Sequence, residues 1–175
     1  MKKISPSTLL VILVAFCYNS CINTDPNLTA EGEDMIASHV AYTDKSVQHY
    51  KDTVYIPIYS DIYSEHRQKS TLLTATLSIR STSLQDTTYI NDIDYYDTQG
   101  NLVKSFVKQT LVLGPMQSID YVIDRDDTSG GTGANFIVTW GAAKDTKPMF
   151  QAVMIGTSGQ HGLSFVTNGK SIKTE

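Results

Sequence analysis

From Leu73 to Arg80 every second residue is apolar: Leu73, Ala75, Leu77 and Ile79 alternate with Thr74, Thr76, Ser78 and Arg80. Successive side chains of a strand point to opposite faces, so this segment is extended, with one face in a core and one in water. Eight further short runs share its β-branched and aromatic character. They are Thr53 to Ile58, Thr88 to Tyr96, Leu102 to Val107, Thr110 to Leu113, Ser118 to Ile123, Asn135 to Trp140, Met149 to Ile155 and Leu163 to Thr167. Turn residues separate them, the signature of an antiparallel sandwich or barrel. Nine strands are too many for one flat sheet to bury, so the sequence predicts an all-β fold, an immunoglobulin-like antiparallel β-sandwich, with a small closed barrel as the alternative.

The punctuation between these runs predicts hairpins at Asp97 to Gly100, at Gly114-Pro115 and at Asn168-Gly169. Asn-Gly is a strong hairpin signal because both central residues of a type I′ turn need positive φ. Pro57 lacks a ladder donor, which predicts that the first strand lies at a sheet edge. Tyr95 and Tyr96 must face opposite ways, so one of the two belongs to the core.

The N-terminus carries a different signal. Lys2 and Lys3 precede the apolar run Leu9 to Phe16, which has the form of an export signal and is too short to cross a bilayer. Ser20 before Cys21 suits a lipoprotein cleavage site, although Tyr18 departs from the aliphatic residue preferred there, and no A-x-A-like site offers ordinary secretion instead. The expected organisation is a lipoprotein-type signal peptide over 1–20, lipidation of Cys21, a flexible tether over 21–52 and a β-sandwich domain over 53–175. The protein is then exported to the cell envelope, in the periplasm or at the outer membrane, and touches the membrane through its lipid alone. Beyond Cys21 there is no cysteine, so no internal disulfide can form and the core alone must stabilise the domain. Without Lys2 and Lys3 the 14 basic residues fall to 12 against 18 acidic ones, a formal charge of −6. No basic stripe offsets it, which argues against nucleic acid as a partner.

Candidate chemistry is sparse. Asp124, Asp126, Asp127 and Asn135 bracket a glycine-rich loop with oxygen donors suited to Ca²⁺, but Thr128, Ser129 and Asn135 fail the EF-hand pattern. The glycines Gly130, Gly131 and Gly133 are read instead as backbone freedom for a tight crossover. Asn168 to Ser171 resembles the end of a phosphate loop, yet Ser164 stands where its first glycine belongs and no helix follows. Gly156 to Gln160 approaches a nucleophile elbow and lacks its last glycine, leaving Ser158 with His161 as a remote hydrolase alternative. His39, His49 and His66 show no zinc spacing. Neither a metal nor a cofactor is expected, and the chain is read as a non-enzyme. Tyr55, Tyr59 and Tyr63 remain as an aromatic platform for a sugar or another protein, against the plainer reading of rings at the sandwich rim.

The strings VYIPIYS (54 to 60), LTATLSIRS (73 to 81), DIDYYDTQG (92 to 100), DTSGGTGANFIVTW (127 to 140) and AVMIGTSGQHGLSFVTNG (152 to 169) resemble the bacterial family called domain of unknown function 3124. The resemblance covers about residues 53 to 172. It implies asparagine where this chain has Ser81 and often histidine where it has Asp61, and it brings no activity or site residue with it. The reading that follows is a non-catalytic envelope module binding another protein, with a small-ligand or glycan-binding lipoprotein as the alternative.

Overall fold

The computed structural model describes residues 47–64 and 66–172, with only the backbone of Ser158. The signal segment, Cys21, His39 and residues 22–46 of the expected tether lie outside the described residues. The described strands are β1 (Tyr50–Pro57), β2 (Asp61–Tyr63), β3 (Ser70–Arg80), β4 (Thr88–Tyr96), β5 (Leu102–Ser105), β6 (Leu111–Leu113), β7 (Ser118–Ile123), β8 (Asn135–Ala142), β9 (Met149–Ser158), β10 (His161–Asn168) and β11 (Lys170–Ser171). A single turn of 3-10 helix, Gly131–Gly133, leads into β8.

Two antiparallel sheets contain them. The first runs β11-β1-β8-β4, with the far side of β4 shared between β5 and β6. The second runs β10-β9-β3, with the far side of β3 shared between β2 and β7. This is the β-sandwich expected from the sequence, and the closed barrel is not formed. All nine expected strands are present, and the alternation on β3 is borne out: Leu73, Ala75, Leu77 and Ile79 are fully buried. They meet Ile56, Ile93, Phe136 and Val138 of the first sheet in one core. Burying each large aliphatic side chain contributes about 1.5–3 kcal/mol before the entropy of ordering it is subtracted. Tyr95 is the inward member of its pair, at 0% exposure.

Three expectations about connections need correction. Gly114-Pro115 does not close a hairpin, because β6 pairs with β4 and β7 with β3, so the turn carries the chain from one sheet to the other. Met116 takes the positive φ there, at 60°. Asn168-Gly169 is not a hairpin either: β10 pairs with β9 while β11 pairs with β1, and neither residue has positive φ. Gly169 is required for closeness, since a Cβ would lie 2.6 Å from Val54 Cγ1 and 2.9 Å from Phe150 Cβ. Pro57 does not make β1 the outermost strand, because the two residues of β11 lie outside it. Ile58 N–H donates to Ala134 O at 2.9 Å, towards β8. Alternation turns the missing donor of Pro57 to the other side, past the end of β11, where Thr167 Oγ1 donates to the Pro57 carbonyl. The Asp97 to Gly100 hairpin is as expected, with Gly100 at φ 82° and Gly100 N–H on Asp97 O at 3.0 Å.

The sandwich also starts earlier than residue 53. Strand β1 begins at Tyr50, and Gln48 is 5% exposed, its side-chain amide paired with that of Asn91 in both directions.

Candidate functional site

The two ends of the sandwich are built differently. At one end, Ser60 Oγ and the buried Tyr95 hydroxyl share a hydrogen bond of 2.9 Å. Thr98 donates from its amide and its hydroxyl to Gly130 O, both at 2.9 Å, and accepts Gly133 N–H. Gly130 lies so near Tyr95 that an added Cβ would fall 2.0 Å from the hydroxyl, and Gly131 holds a positive φ of 73°. The glycine-rich loop is thus a plug over the core.

That placement decides what its acids do. Asp127 Oδ1 accepts Ser129 N–H and Ser129 Oγ, and Asp124 contributes its backbone carbonyl to Asp127 N–H. Asp124 and Asp126 are exposed, and Asn135 already lies in β8, opposite Pro57 and Tyr96. Among the described residues no three His, Cys, Asp or Glu side chains are grouped to hold a metal ion.

The tyrosine platform is dispersed. Tyr55 sits on the outer face of the first sheet between Ile137 and Lys170. Tyr59 packs against the core, edge-on to Phe165 at 5.7 Å between centroids. Tyr63 is 55% exposed at the end of β2. No ring contact joins any two of them. The backbones of Ser158 and His161 are paired in register across the β9–β10 hairpin, which turns at Gly159 with φ 62°. Gly156 is a packing residue of β9, with Leu73 Cδ2 2.5 Å from where its Cβ would be.

At the opposite end the sandwich opens into a groove of about 430 Å³. The inward positions of β1 read Tyr50, Asp52, Val54, Ile56, so alternation sets a carboxylate on the core side of a strand. Asp52 is tolerated there because it lines the open groove. Its Oδ1 accepts Thr53 N–H and Ser171 Oγ, each at 2.8 Å. The floor is aromatic, with Tyr50 5.2 Å from Trp140 and Trp140 6.2 Å from Phe150. Trp140 is 3% exposed, and its indole N–H is buried without a partner.

The β8–β9 connection forms the rim. Asp145 Oδ1 accepts Lys147 N–H at 3.0 Å, and Lys147 holds a positive φ of 48°. Thr82 Oγ1 fixes that conformation by donating to the carbonyls of Thr146 and Lys147. Desolvation, then the charges of Asp145 and Asp52, raise the Tyr50 phenol pKa, so this hydroxyl keeps its proton at neutral pH. Sequence reading missed the groove because it ended the tether at Asp52. Carrying the β1 alternation two residues back from Val54 exposes the inward carboxylate.

A third feature lies on the outer face of the second sheet. Val166, Val153, Thr76 and Val122 stand directly opposite one another across β10, β9, β3 and β7. Beside them run Ser164, Ile155 and Thr74. These two rows contain no ionisable side chain, and Val166, Ile155 and Val122 are 53%, 55% and 47% exposed. Charge on this face begins in the next row, at Asp120, and in the one after, at Arg80; the outer face of the first sheet carries Asp92 and Asp94, bonded to Thr139 and Ser105.

A family model described as protein of unknown function (DUF3124) matches residues 51–172. One solved structure, titled as that of Thermotoga maritima 1070, is similar at 12% identity and a TM-score of 0.39, over 68% of this chain and 92% of the other. No curated protein matches the chain.

Proposed function

As the chain belongs to the DUF3124 family, whose description assigns no activity, we propose on physical grounds that it is a non-catalytic module binding another protein through the outer face of its second sheet. The observation that carries this reading is the four-strand row Val166, Val153, Thr76 and Val122 with Ile155 beside it. A monomer that needed only solubility would break such a row with charge, and charge depletion at the centre of a patch marks protein interfaces. The partner is a protein presenting an apolar, uncharged surface to these rows, with polar groups at their border, where Asp120 lies in the next row and Arg80 in the one after. Lys2, Lys3, the Leu9 to Phe16 run and Cys21 support anchorage by lipid in the cell envelope.

The test is in-cell crosslinking of the tagged full-length protein, with mass spectrometry of what co-purifies. One envelope protein is expected, lost when Ile155→Asp and Val166→Asp are combined. These outward positions tolerate charge, so the melting temperature should hold. Recovery of no specific protein, or of one indifferent to the double variant, refutes the reading. A Cys21→Ala control should leave the domain folded and release it from membranes.

A further inference from the structure

The groove at the Tyr50 end is unconnected with the docking face, and its chemistry points to a ligand of its own. Its walls hold two carboxylates, Asp52 and Asp145, against one ammonium, Lys147. Each carboxylate spends Oδ1 on the protein's own backbone or hydroxyls, and neither Oδ2 has a hydrogen bond among the described residues. An anionic ligand meets two negative charges there, and a bare cation meets Lys147. A neutral ligand rich in hydroxyl donors meets neither objection.

The remaining surface suits the same class. Tyr50 is half-buried, backed by Trp140 and Phe150, and offers a ring against which an apolar face can lie with a polar tip beside it. The left-handed Lys147 is strain stored at the rim, a position where such outliers concentrate around ligands. The size falls in the range of small-molecule sites.

We infer that this groove binds a neutral carbohydrate, one or two rings in size, which lies against Tyr50 and donates hydroxyls to Asp52 and Asp145. Sugar C–H faces match the aromatic floor, and ionised carboxylates accept hydroxyl protons in the stronger, charge-assisted class of hydrogen bond. Asp52 is preset for this by Thr53 and Ser171, so little ordering remains to be done on binding.

Trp140 is the chain's single tryptophan and lies in the groove, so its emission reports occupancy directly. Full-length protein in mild detergent is screened on a glycan array spanning neutral hexoses, N-acetylhexosamines and their short oligomers, and each hit is titrated by Trp140 fluorescence. A saturable change is expected with at least one neutral sugar. Asp52→Asn keeps the Oδ1 acceptor while removing the charge and should weaken binding by about tenfold. Tyr50→Leu should abolish it, with melting temperatures confirming that both variants fold. The combined Ile155→Asp, Val166→Asp protein should bind sugar normally, which separates this inference from the docking reading. An array without a neutral-sugar hit, sugar binding unaffected by both groove variants, or saturation by tetramethylammonium in place of sugar overturns it.

Discussion

The sandwich has an aromatic cluster near each end, and the two are treated in opposite ways. Tyr95, Phe136, Phe106 and Tyr121 form a chain of ring contacts between 5.0 and 5.9 Å, sealed where Ser60, Thr98 and Gly130 close over Tyr95. Tyr50, Trp140 and Phe150 form the second cluster, where an inward carboxylate and an unpartnered indole N–H lie beside an open groove. Alternation along the strands supplies both clusters except for Phe106, which follows β5. The connections decide the outcome: a glycine-rich loop packs onto the first, and a strained loop stands off the second. A sealed end serves stability, whereas an open end with unspent polar groups is where binding is to be sought.

The sharpest way to break this contrast is Gly130→Ala. A Cβ there would lie 2.0 Å from the Tyr95 hydroxyl and 2.6 Å from Ala134 Cβ. Overpacking with lost closure should cost about 3 kcal/mol, read as a fall in urea midpoint at unchanged slope. Tyr95→Phe is next. It strands the Ser60 hydroxyl in the core and should cost about 1–2 kcal/mol by the same measurement.

Tyr121 tests the seal by pH. Burial first, and Asp120 second, push its phenol up to about 12 from 10.0. Between those values the unfolded chain gives up this proton and the folded one retains it, so stability falls as pH rises from about 10 to 12. Tyr121→Phe should flatten that part of the profile. Because the hydroxyl is buried without a partner, the same variant should lose nothing at neutral pH. At the open end, Lys147→Gly relieves a positive φ at an exposed position and should stabilise by about 0.5–1 kcal/mol. A loss instead would mean that the rim is not strained.

The smallest effect belongs to Asp97. Its carboxylate accepts Asn101 Nδ2 and the amides of Asn101 and Gln99, which lower its pKa, the Asn101 side chain most. The folded value is the depressed one, so its contribution is complete above pH 4 and is lost as pH falls through the lowered value. Asp97→Ala should make the acid limb of the stability curve shallower without moving the alkaline limb.

These comparisons show where sequence was sufficient. Strands with long alternation were legible from it because period 2 is a local property, and Leu73 to Ile79 needed no partner to declare a buried face. β2 and β11 went unseen because three and two residues carry no period. Asn168-Gly169 misled because the same dipeptide serves positive φ in one setting and close approach in another, and only Val54 and Phe150 distinguish them. The acids of the Asp124 to Asn135 loop were visible as a cluster, but whether they converge depends on Thr98 and Tyr95, distant in the chain. The groove required a strand start three residues earlier than the composition suggested.

The pairing of β1 with β8 and β11 has a bearing on how the protein comes into being. Strand β1 lies beside Asn135–Ala142 and is flanked by Lys170–Ser171. The first sheet therefore has no half that a stretch of neighbouring sequence can complete, because β1 finds both of its partners far along the chain. Such non-local closure slows folding and keeps the chain open until these distant segments have met. Delay of this kind is a hazard for a protein that stays where it is made. Under the export proposed above, the same delay keeps the polypeptide in the form that a narrow translocation channel accepts.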